Sequence, residues 1–303
     1  MNKANNYKTK NKWNASGEIP FNIFNYSLFV LLGVLTFFPF WNVFVISISK
    51  YEEYSKSPFL IFPKQIYLET YKFIFSTDEI LKALIVTIFI TVVGTAYNMF
   101  VTVAAAYSLS KKDLPGRDVI FTLILIPMFF SGGLIPFYLL VKSLGLYNSL
   151  FAMILPGAVN TWYLIIIKNY FKSIPASLEE SAKVDGANDV YILWKIILPI
   201  SKPVIASFVL FYAVIHWNEW YNAMLFINNT KMQPLQLLLR NMIVKNWMSP
   251  TMLEYRRSSS MSYVTGDNVK MGVVIVATIP IVIVYPFLQK YFVKGVIVGS
   301  IKG

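Results

Sequence analysis

The stretch ILKALIVTIFITVVGTAYNMFVTVAAAYSL, Ile80–Leu109, holds one charged residue, Lys82, near its start. A run of about 18 apolar residues is enough to cross the hydrocarbon core of a bilayer. Working outward, five further stretches read the same way: about Asn25–Ser49 before it, and about Val119–Val141, Leu150–Tyr170, Pro203–Phe226 and Met271–Phe292 after it. Composition agrees. The 303-residue chain is 56% hydrophobic and 14% charged, against roughly 25% charged residues in soluble domains, and its mean hydropathy is +0.56. The sequence therefore predicts an all-α, polytopic membrane protein with six transmembrane helices. A polar N-terminal tail (1–24) precedes a single transmembrane domain (25–303). The first apolar run reads as a retained helix, since no small-residue cleavage site follows it. Ser131, Gly132, Gly133 and Pro136 interrupt the third stretch; they make either a packing kink or a wall of a solute pathway.

Orientation follows from the loops. Lys3, Lys8, Lys10 and Lys12 in the tail, Lys111, Lys112 and Arg117 after the second stretch, Lys172, Lys183, Lys195 and Lys202 after the fourth, and Lys294 and Lys302 at the end all fall on one side of a six-helix chain. The positive-inside rule makes that side cytoplasmic, with both termini on it. The formal net charge of +12 is explained in this way and not by nucleic acid, because the basic residues lie between apolar runs rather than among stacking aromatics. The opposite side holds a loop with Glu52, Glu53, Glu69, Asp78 and Glu79, a short loop at Gly145, and a long one at 228–270.

Catalytic chemistry has few candidates. There is no cysteine and only one histidine, His216. No phosphate-cradling GxxxxGK[ST], no HExxH, no metal cluster and no serine–histidine–acid set can be assembled. The chain is expected not to be an enzyme, with catalytic and metal residues none and no cofactor of its own.

The informative segment is 173–200, between the fourth and fifth stretches: SIPASLEESAKVDGANDVYILWKIILPI. Ser177 and Glu180 form an S-x-x-E capping box that predicts a helix start. Gly186 stands where the chain leaves that helix with positive φ, and Asn188 or Asp189 can cap a second short helix. Leu198-Pro199 and Ser201-Lys202-Pro203 turn the chain back into the membrane. The result is a helix–turn–helix on the cytoplasmic face, serving either as an amphipathic element on lipid headgroups or as a docking element for a partner.

This segment resembles the EAA loop of ABC importer permeases, E-A-A-x3-G-x9-I-x-L-P. Glu180, Ala182, Gly186, Ile196, Leu198 and Pro199 stand at the matching spacings, and Ser181 replaces the first alanine. The resemblance runs from about residue 24 to the end. His216-Trp217-Asn218-Glu219-Trp220 looks like the W-N motif of carbohydrate permeases, and Val293–Gly303 is similar to the Gly-rich tail of the maltose-type inner subunit. Ser131–Pro136 and Pro234-Leu235-Gln236 look like the LplC/YtcP-type branch, which is associated with pectic and rhamnogalacturonan-type oligosaccharides. The resemblance implies a type I importer permease fold. It also implies that Glu180, Ser181, Ala182, Asp185, Gly186, Ile196, Leu198 and Pro199 couple to an ATPase, and that the tail residues Ser300, Lys302 and Gly303 reach it. The implied partners are a second homologous permease, two ATPase subunits that carry ATP and Mg, an extracellular lipid-anchored solute-binding protein, an oligosaccharide, and the bilayer of a bacterial plasma membrane. The branch points to a Gram-positive cell. A permease for peptides or amino acids, and an ATP-independent secondary transporter, are the alternatives.

Sugars are held by aromatic faces and hydrogen-bonding tips, and Asn160, Trp162, Tyr163, Tyr212, Trp217 and Asn218 supply such groups. Glu219 lies roughly 24 Å along its stretch at 1.5 Å per residue, either lining a pathway or resting at the outer interface. The loop 228–270, with Trp247, Pro250 and Arg256-Arg257, reads either as a partly ordered scoop for the binding protein or as a passive insertion.

Overall fold

The computed structural model describes residues 15–57, 59–244, 253 and 264–300, and every regular element among them is helical. In chain order these are α1 (Ala15–Ser47), α2 (Tyr51–Tyr54), α3 (Glu69–Ser76), α4 (Asp78–Ser110), α5 (Arg117–Phe129), α6 (Leu134–Ser143), α7 (Thr161–Ser173), α8 (Ala176–Val184), α9 (Asp189–Ile192), α10 (Leu198–Ile200), α11 (Lys202–Trp217), α12 (Tyr221–Phe226), α13 (Leu235–Val244) and α14 (Gly266–Ser300).

Among the described residues, three continuous spans are long and apolar enough to cross a membrane: Pro20–Ser47 in α1, Asp78–Ser110 in α4 and Gly266–Pro286 in α14. α4, with 33 residues, is roughly 50 Å long at 1.5 Å per residue, longer than the roughly 30 Å hydrocarbon core, so at least one of its ends stands outside it. α1 begins at Ala15, upstream of the expected boundary at Asn25. Hydropathy marks the part of a helix that sits in lipid and says little about where its hydrogen-bond ladder starts. For the same reason α14 begins at Gly266 and not at Met271, and it continues through Val293 to Ser300, where a tail was expected.

The other three apolar stretches are broken. The third divides into α5 and α6 around an extended Phe130 and Gly133 at φ 84°. The expected continuous helix at Leu150–Tyr170 is overturned: a 3-10 turn at Leu150–Met153 is followed by non-helical backbone up to α7. Pro156-Gly157 causes the break, since proline has no N–H for the ladder. A freed carbonyl in an apolar setting needs a new donor, and the Asn98 side chain on α4 supplies one to Gly157 O at 3.0 Å. The fifth stretch divides at Asn218–Trp220 into α11 and α12.

α4 is the centre of the fold and packs on α11, α7, α13 and α3. Its seam with α11 is set at two levels. Gly94 gives way to the buried His216 ring: a Cβ there would lie 2.5 Å from His216 Nε2. Two turns on, Thr102 Oγ1 and the Tyr212 hydroxyl pair at 2.8 Å in the buried interior. α11 is tied to α14 by Trp217 Nε1, which donates to Ala277 O at 3.0 Å. α14 is tied to the end of α1 by Asn268, whose side-chain amide donates to Ile46 O at 2.8 Å and Ser49 O at 2.9 Å.

The close approach at Gly94 is directly testable. Gly94→Ala is expected to cost about 1–3 kcal/mol of stability, as over-packing does. His216→Ala in the same chain should return at least half of that loss, as coupled neighbours do. Thermal unfolding of the four chains in one detergent measures both effects, and a Gly94→Ala chain that melts with wild type would remove the seam from this account.

Candidate functional site

The 173–200 segment is built locally before it is packed. Pro175, with φ −57° and ψ 127°, ends the exit from α7 and stands at the N-cap of α8. The expected capping box does not form: α8 begins at Ala176 with no side-chain cap bond. Pro175 fixes its own φ and starts the helix early, which places Ser177 inside the first turn and away from the geometry a cap needs. The C-terminal expectation holds. Gly186 has φ 82°, Ala187 N donates to Ala182 O at 2.9 Å, and Gly186 N donates to Lys183 O at 3.0 Å. This is the paired bonding of a Schellman ending. Of the two candidate caps for α9, Asn188 is used: its Oδ1 accepts from Tyr191 N at 2.8 Å. Lys183 and Asp189 pair at 3.2 Å across the Gly186 turn.

A π-helical segment, Leu193–Ile197, leads into α10. Pro199 has no N–H to offer the Lys195 carbonyl, and the ladder widens, with Leu198 N bonding Leu193 O. Ser201 Oγ then donates to Ile197 O at 2.7 Å, and the chain turns by 89° into α11.

Packing divides the segment into a base and a free face. Ile192, Leu193 and Ile197 are buried against Met99, Val103 and Ala106 of α4, Phe171 of α7 and Phe208 of α11, and Ala182, Ile196 and Leu198 join them at its edge. Glu180, Ser181, Asp185, Gly186 and Pro199 are exposed. Beside them stand exposed Leu178, Val184, Val190, Tyr191 and Trp194, with Val184 88% exposed. Apolar and aromatic groups clustered on an otherwise polar surface mark an interaction face. Sequence reading passed over these five, although apolar residues within so polar a segment were visible.

It also passed over Glu179, which forms an ion pair with Lys111 just past the end of α4, both side chains being about four-fifths buried. Lys111 Nζ lies 4.0 Å over the Tyr107 ring. Burial pushes the Lys111 ammonium below its ordinary pKa, Asp189 raises it and Lys183 lowers it again. α8 is thus held by charge to the end of the central helix.

The candidate pathway residues fall into structural roles and open positions. Tyr212 is 1% exposed, and its hydroxyl accepts from Asn160 N at 3.0 Å besides pairing with Thr102. Asn160 caps α7 by accepting from Tyr163 N at 3.2 Å. The Tyr163 ring packs among Phe208, Phe211 and Tyr212. Trp217 is buried, whereas Asn218 and Trp162 are exposed. Glu219 is half-buried and closes the break after α11: its carboxylate accepts from Asn222 N and Asn222 Nδ2, each at 2.9 Å.

The loop 228–270 contains packed structure. Pro234, Leu235, Leu238 and Met242 are buried, and Thr87 of α4 accepts from Leu235 N at 2.8 Å. The Arg240 guanidinium lies 4.9 Å over the Trp220 ring. Trp247, Pro250, Arg256, Arg257, Lys302 and Gly303 lie outside the described residues, and Ser300 is the last residue of α14. Among the described residues no group of acidic or histidine side chains could hold a metal ion.

Known proteins match this arrangement. Residues 98–298 match the family described as "Binding-protein-dependent transport system inner membrane component". The chain is 46% identical, over 93% of its length and 98% of the other's, to the "Polygalacturonan/rhamnogalacturonan transport system permease protein YtcP" of Bacillus subtilis (strain 168). It is 45% identical to "Protein LplC" of the same organism, over 90% of this chain and 91% of that one. Among solved structures, one described as a bacterial ABC transporter involved in the import of the acidic polysaccharide alginate superposes with a TM-score of 0.86 at 32% identity, covering 92% of this chain and 99% of its own.

Two outcomes follow from the loop geometry. Gly186→Ala forces a side chain into the left-handed region at a cost of roughly 1–2 kcal/mol. Hydrogen exchange at the amides of residues 186 and 187 should then quicken about fivefold or more, and unchanged protection would show that the turn does not depend on glycine. In a charge-reversal series, Lys111→Glu and Glu179→Lys should each loosen α8 to proteolysis, and the double reversal should restore protection.

Proposed function

Because the chain belongs to the family of binding-protein-dependent transport system inner membrane components, we propose that it is the permease subunit through which an ATP-driven importer carries pectic oligosaccharides, polygalacturonan and rhamnogalacturonan fragments, into a bacterial cell. The observation that carries this reading is the docking element between α7 and α11. It has a rigid base buried against α4, α7 and α11 and an exposed, partly apolar face. The name of the relative at 46% identity supports the substrate class.

In the mechanism, an extracellular, lipid-anchored binding protein delivers the oligosaccharide to the outer face, and this chain encloses it together with a second, homologous permease. Two ATPase subunits, which carry ATP and Mg, seat the exposed face of α8–α10 in their clefts. Their closure pushes on the loop. The push is transmitted to α4 through the Glu179–Lys111 pair and the buried Ile192 and Ile197, and to α11 through the bend at Ser201. Rigid elements pressed together in this way switch between discrete packings instead of deforming smoothly. The chain makes and breaks no covalent bond. Six crossings, three of them made by the broken helices, put both termini and every loop of the basic set in the cytoplasm. The branch likeness favours a Gram-positive host.

The experiment is a pull-down from membranes that carry the tagged chain, with uptake of labelled oligogalacturonides measured in parallel. Wild type is expected to retain an ATPase, a second permease and a binding protein. Glu180→Ala and Gly186→Pro should lose the ATPase and at least tenfold of the uptake while keeping the other two partners. Variants that keep the ATPase and transport normally would refute the docking role. Uptake of peptides in place of oligogalacturonides would keep the machine and overturn the substrate.

A further inference from the structure

A cleft of about 170 Å³ opens at the end of the bundle that carries the docking loop, lined by Leu109, Arg117, Asp118, Phe121, Lys168 and Lys172. It brings three cations together with a single carboxylate. That carboxylate is engaged: Asp118 pairs with Arg117 at 2.9 Å and is itself 85% exposed. Lys168 Nζ lies 3.4 Å over the Phe121 ring, and its side chain is half-buried. Among the ion pairs of the described residues, neither Lys168 nor Lys172 has a carboxylate partner. The two lysines are one turn apart on α7, where like charges repel each other. A packed helix that gathers cations in this way is short of an anion.

The surroundings specify the anion further. Val119, Ile120 and Leu123 of α5 are exposed, and at 3.6 residues per turn they stand on the side of that helix turned away from Arg117, Asp118 and Phe121. The Lys111-Lys112 pair stands at the same end of the bundle, just past α4, and basic clefts between transmembrane helices on such a face suit acidic headgroups.

We propose that this cleft binds the phosphate of an anionic phospholipid, held by Arg117, Lys168 and Lys172. Lys172 is the residue before Ser173, where the docking segment begins. The bound lipid therefore braces α5 against α7 at the root of that loop, at the other end of α7 from the bond in which Thr161 Oγ1 donates to Ile124 O at 3.3 Å. The proposal is independent of which solute the chain carries.

The test is native mass spectrometry of the purified full chain in detergent, titrated separately with phosphatidylglycerol, phosphatidylcholine and inorganic phosphate. Wild type should retain phosphatidylglycerol at least tenfold more tightly than phosphatidylcholine. Lys168→Gln with Lys172→Gln should abolish that preference, since each basic residue at such a surface contributes severalfold to acidic-lipid affinity. Lys168→Arg with Lys172→Arg should keep it, as should Lys231→Gln on the loop after α12. Melting curves recorded alongside confirm that the glutamine pair is folded. Equal retention of the two lipids by wild type, undiminished phosphatidylglycerol binding by a folded glutamine pair, or inorganic phosphate binding as tightly as phosphatidylglycerol would each overturn the proposal.

Discussion

The fold depends on how closely α11 can approach α4. At Gly94 the absence of a side chain lets the His216 ring lie directly on the α4 backbone. That contact, with the Thr102–Tyr212 hydrogen bond two turns away, sets the distance and register of the two helices. The other contacts follow from it. α7 is capped by Asn160, whose backbone N–H bonds the Tyr212 hydroxyl already held by α4. α14 is aligned on α11 through Trp217, and α1 on α14 through Asn268. Each link places a polar group of one helix on a backbone atom or hydroxyl of another. This is how an apolar bundle gains specificity when the surrounding lipid is as apolar as its side chains.

The broken helices obey the same constraint. Irregular backbone is tolerated at membrane depth only where something satisfies its polar groups, and here neighbouring side chains do so. Asn98 takes the Gly157 carbonyl, Glu219 takes the amide and side chain of Asn222, and Thr87 takes the Leu235 amide that brings α13 onto α4. Two of these points, Asn98 with Gly157 and Thr87 with Leu235, also cross-link α4 to its neighbours. The segment between α7 and α11 is tied together in a similar way. A Schellman ending, an asparagine cap and a π-helical turn ahead of Pro199 pair its backbone groups at Gly186, at the start of α9 and at the entry to α10.

Within the candidate site, legibility depended on whether a residue's role is local. Gly186 and Asn188 were readable because positive φ and an N-cap concern a few consecutive residues. Ser177–Glu180 was misread because Pro175, two residues earlier, starts the helix by its own covalent constraint, which a capping pattern does not weigh. Glu179 was not legible at all: its partner Lys111 lies 68 positions away in the chain, and nothing near Glu179 announces a buried counter-charge. Tyr212, Tyr163 and Asn160 have the chemistry of sugar binding, yet the Tyr212 hydroxyl, the Asn160 side-chain oxygen and the Tyr163 ring are engaged within the bundle itself, a choice that composition cannot express.

The sequence by itself determined the helical class of this protein, the apolar stretches that include the three continuous spans of the described residues, and the place of the helix–turn–helix between α7 and α11. Hydropathy, proline, glycine and capping residues act over one or two turns, and a bilayer admits few backbone solutions. Only the tertiary structure decided how the other apolar stretches break, which half of the motif is base and which is face, and which polar side chains are engaged. Those outcomes depend on contacts between residues distant in the chain, such as Gly94 with His216 and Lys111 with Glu179, and their energy exists only once the helices have met.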